Sequence, residues 1–106
     1  MEIIYSPKAL EDLIDIYSYI SYSLYEPNLA EVFVNRIRDN IRKLDQMPLR
    51  HPLVDWEPWH SMGMRIFPIG NYEIYYLVDR EQSIVRIIRI IYGGRDTESM
   101  IKDCES

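Results

Sequence analysis

The sequence predicts an α+β domain with elements in the order β-α-α-β-β-β. A helical hairpin packs on one face of a small antiparallel-rich sheet, and a short C-terminal helix follows. Two observations carry this reading. Apolar residues recur at helical spacing through the first 47 positions, whereas β-branched and aromatic residues cluster from residue 64 to residue 92. At 106 residues there is room for one core, so residues 1–106 read as a single domain.

Ile3-Ile4-Tyr5 is short and apolar, an opening strand. Ser6-Pro7 then signals a helix start, with serine as N-cap and proline at the first helical position. The spacing of Leu10, Leu13, Ile14, Tyr17, Ile20 and Leu24 predicts the inner face of this helix, with Glu11, Asp12, Asp15, Tyr19 and Tyr22 opposite. Tyr25-Glu26-Pro27 breaks it. Asn28 followed by Glu31 resembles a capping box that opens a second helix. Its inner face is Ala30, Phe33, Val34, Ile37, Ile41 and Leu44, and Met47-Pro48 ends it.

Residues 48–63 hold Pro48, Pro52, Pro58, both tryptophans, both histidines and Gly63, which predicts an ordered loop without regular structure. Strands follow from Met64 to Pro68, Tyr72 to Val78 and Ile84 to Tyr92. Turns at Gly70-Asn71 and Asp79 to Ser83 join them into an antiparallel meander. Asp96 is placed to cap a last short helix running through Cys104.

With 47% hydrophobic and 12% aromatic residues, the chain has the apolar material to fold and is not of the disordered class. No apolar run approaches the roughly 20 residues needed to span a bilayer, so no membrane association is expected. The start, Met1 to Tyr5, lacks the basic lead of a secretory leader. One cysteine, Cys104, cannot form an internal disulfide, and a cytosolic location is the simplest expectation. His51 and His60 have no cysteine or carboxylate at ligand spacing, so neither a metal nor a cofactor is expected.

The net charge of −5 is unevenly spread. Residues 1–49 carry five basic and eight acidic side chains, residues 50–95 six arginines and five acids, and residues 96–106 Lys102 against four acids. The middle third is thus the least acidic, and its basic residues are all arginine, whose planar fork suits carboxylate or phosphate. Nothing forms a basic stripe, so non-specific nucleic-acid affinity should be weak.

The stretch from Ile84 to Asp96 is the most pointed chemically. Arg86 and Arg89 fall on opposite faces of its strand and read as pairing or snorkelling, while Gly93-Gly94 delivers Arg95 at the carboxyl edge of the sheet. Arg65 is a second candidate cation; its alternative is a cross-strand pair with Glu73 or Asp79. Arg95 is likewise open to a salt bridge with Asp96 at a helix start.

The order of elements, the Ser6-Pro7-Lys8-Ala9 helix start, the strand Asn71-Tyr72-Glu73-Ile74-Tyr75-Tyr76, and Arg89-Ile90-Ile91-Tyr92-Gly93-Gly94-Arg95-Asp96 together resemble the RelE/ParE superfamily over nearly the whole chain. The resemblance implies a small bacterial toxin of a type II toxin–antitoxin module of the plasmid-stabilisation type, neutralised by a cognate antitoxin. Two actions are implied. RelE-like relatives are ribosome-dependent, metal-independent mRNA endonucleases, and ParE-like relatives poison DNA gyrase without catalytic residues.

RNA cleavage requires a base, a proton donor and cations around the crowded phosphate. Arg65 and Arg95 match the electrostatic positions of the RelE-like branch. Tyr92 stands where a histidine is common, and His60 is the remaining acid–base candidate. Tyrosine's reference pKa near 10 suits it to donate a proton and makes it a poor base without a shift; the alternative for Tyr92 is to fill the core edge. The lysine pair that some RelE-like members place before the second strand is absent, and no tyrosine lies in the last helix. These departures and the acidic balance favour the ParE-like or an unassigned branch, acting on DNA gyrase or on translation, with a ribosome-dependent mRNA endonuclease close behind and an inactive toxin-fold binding module third.

Tyr19, Tyr22, Arg89 and Trp56 are the candidate partner-binding residues, tyrosine being favoured in interface cores. Solvated tyrosines are the alternative for the first two. Trp56 and Trp59 would otherwise staple the long loop onto the core. The oligomeric state is open, with a homodimer as one option.

Overall fold

The computed structural model describes residues 1–93. Its elements are β1 (Glu2–Tyr5), α1 (Pro7–Ser18), α2 (Pro27–Arg42), α3 (Trp59–Met62), β2 (Arg65–Ile69), β3 (Tyr72–Asp79) and β4 (Ile84–Tyr92). The expected C-terminal helix, with Arg95, Asp96 and Cys104, lies outside the described residues.

The strands form one sheet in the order β1-β4-β3-β2. The meander β2-β3-β4 is antiparallel as predicted, and β1 lies parallel to the first half of β4, Glu2 to Tyr5 against Ile84 to Ile87. After β1 the helices precede the three-stranded meander, which is the predicted α+β class. Gly70 opens the two-residue β2–β3 turn at φ +59°, the left-handed region that a type II′ turn requires at its first position. Ser83 closes the β3–β4 turn at φ +56°. On the outer edge of β2, the Ile66 N–H is already given to the Pro52 carbonyl at 3.0 Å, and Pro68, two residues on, has no N–H to offer. That edge is closed to further strands.

α1 begins as read: the Ser6 hydroxyl oxygen accepts from the Ala9 N–H at 3.0 Å, and its proton goes to the Ile88 carbonyl at 2.8 Å. Its inner face differs from the expectation. Ala9, Asp12, Leu13 and Ile16 are buried, whereas Leu10, Ile14, Tyr17 and Leu24 are exposed. The chain carries two apolar stripes about one residue apart, and the Ala9-Leu13-Ile16-Ile20 stripe is the one that turns inward. Asp12 goes in with it because β4 supplies donors for its carboxylate. The α-helix stops at Ser18 and continues as a π-helical turn, Tyr19–Ser23, with the Leu24 N–H bonded to the Tyr19 carbonyl at 3.1 Å.

α2 keeps the predicted face, with Ala30, Ile37, Ile41 and Leu44 buried and Phe33 and Val34 packed beside them. Its start is corrected: Pro27 takes the first helical position behind Glu26, so Asn28 and Glu31 lie inside the helix and form no capping box.

Two apolar clusters lie on the two sheet faces. The larger joins α1 and α2 to Ile69, Ile74, Tyr76, Val85, Ile87 and Ile90; the smaller gathers Val54, Trp59, Met64, Tyr75, Ile88 and Ile91. The long loop therefore covers the face that the helices leave bare. It also contains one helical turn, α3, closed by Gly63 at φ +85°, where an irregular segment was expected. Four residues are too few to carry a helical period. A β-bulge lets β4 serve both faces. Tyr75 lies opposite Arg89 but Tyr76 opposite Ile87, so Ile88 is the extra residue. Val85 and Ile87 before it and Ile90 after it all join the helix-side cluster.

Candidate functional site

β1 pairs with β4 only as far as Ile87, so β4 runs on to Tyr92 with one edge uncovered by a strand. The first turns of α1 cross that edge. Asp12, 7% exposed, accepts three N–H bonds there: from Arg89 Nε at 2.8 Å, from Arg89 Nη2 at 2.9 Å and from the Ile90 backbone at 2.9 Å. Arg89 is 5% exposed. A bidentate, charge-assisted pair of this kind holds both ions in a dry place, and the helix dresses the strand edge in place of another strand.

A groove of about 680 Å³ opens over this pair. Lys8, Asp15 and Tyr19 come to it from the helical side, Tyr72, Ile91 and Tyr92 from the sheet. Tyr72 and Tyr92 meet edge to face with centroids 5.6 Å apart, and Tyr72 leans on Phe33 at 5.6 Å. Tyr19 and Tyr92 remain 53% and 46% exposed, so the groove presents aromatic surface rimmed by one lysine and one aspartate. The sequence placed Tyr19 and Tyr92 in different roles and gave Tyr72 none. The β3–β4 register, Tyr72 opposite Tyr92, is what unites them.

The other expected residues lie elsewhere. Arg65 is level with Tyr76 and Ile87, two strands from β4, whereas Tyr92 is level with Tyr72. The four-residue offset, Tyr76 to Tyr72, alone separates them by about 13 Å along the strands. The Arg65 guanidinium donates to the His51 carbonyl at 2.6 Å and the Leu49 carbonyl at 3.3 Å, so it holds the loop rather than Glu73 or Asp79. His60, in α3, gives its Nδ1–H to the Val54 carbonyl at 2.7 Å, which leaves Nε2 as the acceptor nitrogen. His60 and Arg65 do not line the tyrosine groove. Trp56 leans on Tyr75 with centroids 6.3 Å apart, and Tyr22, 72% exposed, stands on the π-turn away from the groove. Among the described residues, no three His, Cys, Asp or Glu side chains are grouped to hold a metal ion, and no helix is long and apolar enough to cross a membrane.

Two tyrosines are shifted by their surroundings. Burial pushes Tyr76 up to about 12, against the pull of Arg65, and its hydroxyl donates to the Pro48 carbonyl at 2.7 Å. Burial also raises Tyr5, with Arg38 and Arg42 opposing.

A family model described as the ParE toxin of the type II toxin–antitoxin system parDE matches residues 3–97. The chain belongs to the ParE toxin family. It is a toxin of a toxin–antitoxin module. Its fold is also that of two solved structures. The chromosomal ParDE toxin–antitoxin system from P. aeruginosa aligns with TM-score 0.71 and 23% identity, over 87% of this chain and 95% of that one. The RelBE2 toxin–antitoxin complex from Mycobacterium tuberculosis aligns with TM-score 0.63 and 19% identity, over 86% of this chain and 95% of that one. No curated protein sequence matches.

In this ParE-family chain the groove has a fully bonded floor and an aromatic wall. The Asp12 carboxylate at its floor is filled by three donors and poorly placed to take a proton from a substrate. Three tyrosine rings offer large, amphipathic contact area.

Proposed function

We propose that this toxin arrests growth by binding DNA gyrase through the tyrosine groove, and that a cognate antitoxin neutralises it in the cytoplasm by covering the same groove. The observation that carries this reading is the company Tyr92 keeps. It shares its groove with Tyr19 and Tyr72, while Arg65 and His60 are bound to loop carbonyls elsewhere. An mRNA endonuclease needs cation, acid and base around one phosphate. The likeness to two toxin–antitoxin systems supports the antitoxin as partner.

The test uses purified protein in two assays side by side, supercoiling by DNA gyrase and translation in a reconstituted bacterial extract. Supercoiling should fall while translation continues on intact mRNA. Ribosome-dependent mRNA cutting with supercoiling untouched would overturn the reading in favour of the endonuclease. Neither effect, together with normal growth on induction, would leave an inactive binding module.

A further inference from the structure

The β3–β4 turn end of the sheet carries a second groove, of about 550 Å³, that shares no residue with the tyrosine groove. Arg65, Arg80 and Arg86 line it together with the aliphatic side chains of Leu49, Met62 and Leu77. Arg86 lies opposite Leu77 and six residues before Tyr92, roughly 20 Å along the strand. Its state is unusual. From Ile84 to Ile91 every other β4 residue is buried, yet Arg86 is half-buried and no described residue accepts a hydrogen bond or ion pair from its guanidinium. Arg89, on the same strand, has the Asp12 carboxylate in its fork. The two acids that line the same groove form no ion pair with Arg86: Asp79 Oδ1 takes the Gln82 N–H at 3.1 Å, and Glu81 stands exposed on the turn. A partly desolvated guanidinium whose donors meet no acceptor among the described residues is suited to receive an oxyanion.

We infer that this groove binds an acidic peptide segment of a protein partner, a Glu or Asp carboxylate seated on Arg86 and an aliphatic neighbour lying on Leu49, Met62 and Leu77. A nucleic-acid backbone fits less well. Asp79 and Glu81 stand on the same groove and the whole chain carries −5, so a run of phosphates would be repelled where one carboxylate is not. Apolar lining beside the arginines also matches peptide side chains better than sugar and phosphate.

The experiment is an NMR titration of the full chain at low salt, reading the arginine Nε–Hε signals. The probe is a capped peptide with one glutamate flanked by leucines. Controls are the same peptide with lysine for the glutamate, and a deoxythymidine decamer. The acidic peptide should move the Arg86 signal, the lysine peptide should not, and Arg86→Gln should weaken binding about tenfold. Arg80→Gln, at an exposed turn position, should weaken it about threefold and serves if Arg86→Gln does not fold. An unmoved Arg86 signal, equal binding of the lysine peptide, tighter binding of the decamer through Arg86, or full affinity in the folded variants would each overturn the proposal.

Discussion

Asp12 and Arg89 stand 77 residues apart in the chain, and their side chains meet fork to fork at 2.8 and 2.9 Å beneath the tyrosine groove. The pair joins the first helix to the last strand where no neighbouring strand does so. Removing one partner leaves the other charge buried and uncompensated, which costs more than the pair itself contributes. Asp12→Ala should therefore destabilise the protein by about 3–5 kcal/mol in denaturant unfolding. A loss under about 1 kcal/mol, typical of an exposed pair, would show that the site is wetter than described.

Tyr92 separates binding from chemistry. If the groove works by contact, Tyr92→Phe keeps the ring and should kill as the parent does. Tyr92→Ala should lose about 1–2 kcal/mol of target affinity, the size of a truncated interface tyrosine. Growth arrest on induction and the toxin concentration that halves supercoiling both report this. Loss of killing in a folded Phe variant would return the hydroxyl to a chemical role.

Arg65 braces the loop over the second sheet face through the Leu49 and His51 carbonyls. Arg65→Ala should cost about 1–2 kcal/mol of stability and speed protease cutting between residues 46 and 58, since charged donors hold carbonyls at roughly that strength. A variant with wild-type stability and cutting rate but no toxicity would make Arg65 a direct functional contact instead.

His51 stacks on Phe67 with centroids 3.9 Å apart, and burial, helped by Arg50, lowers its pKa from 6.5. The folded chain thus binds this proton more weakly than the unfolded chain does. The contribution is whole above about 6.5 and is lost as pH falls below that value toward the folded pKa. Melting temperature should drop through that window, and the drop should shrink in His51→Gln. An unchanged slope in the variant would assign the effect to other groups.

Legibility in the sequence followed the contrast between faces. α2 was readable because Ala30, Ile37 and Ile41 face a side that is polar apart from Leu29 and Val32 near its start. α1 was not, because Leu10, Ile14 and Tyr17 form a stripe as apolar as the one that turns inward, and only Arg89 and the Ile90 N–H decide between them. The strands were legible to within a residue or so, but the bulge at Ile88 was hidden inside a run of isoleucines with no glycine or polar residue to mark it. The candidate site suffered most. Which residues meet depends on register, and register put Tyr72 beside Tyr92 and Arg65 four residues and two strands away.

The parallel pairing of β1 with β4 has a consequence for the chain as it is made. A nascent polypeptide that has reached Asp79 has its first strand without a neighbour, the Ser6 hydroxyl without the Ile88 carbonyl, and the Asp12 carboxylate without its guanidinium. Each of these waits for residues 84–90. A fragment that ends before the last strand therefore lacks every one of the contacts that tie β1 and α1 to the sheet beneath the tyrosine groove.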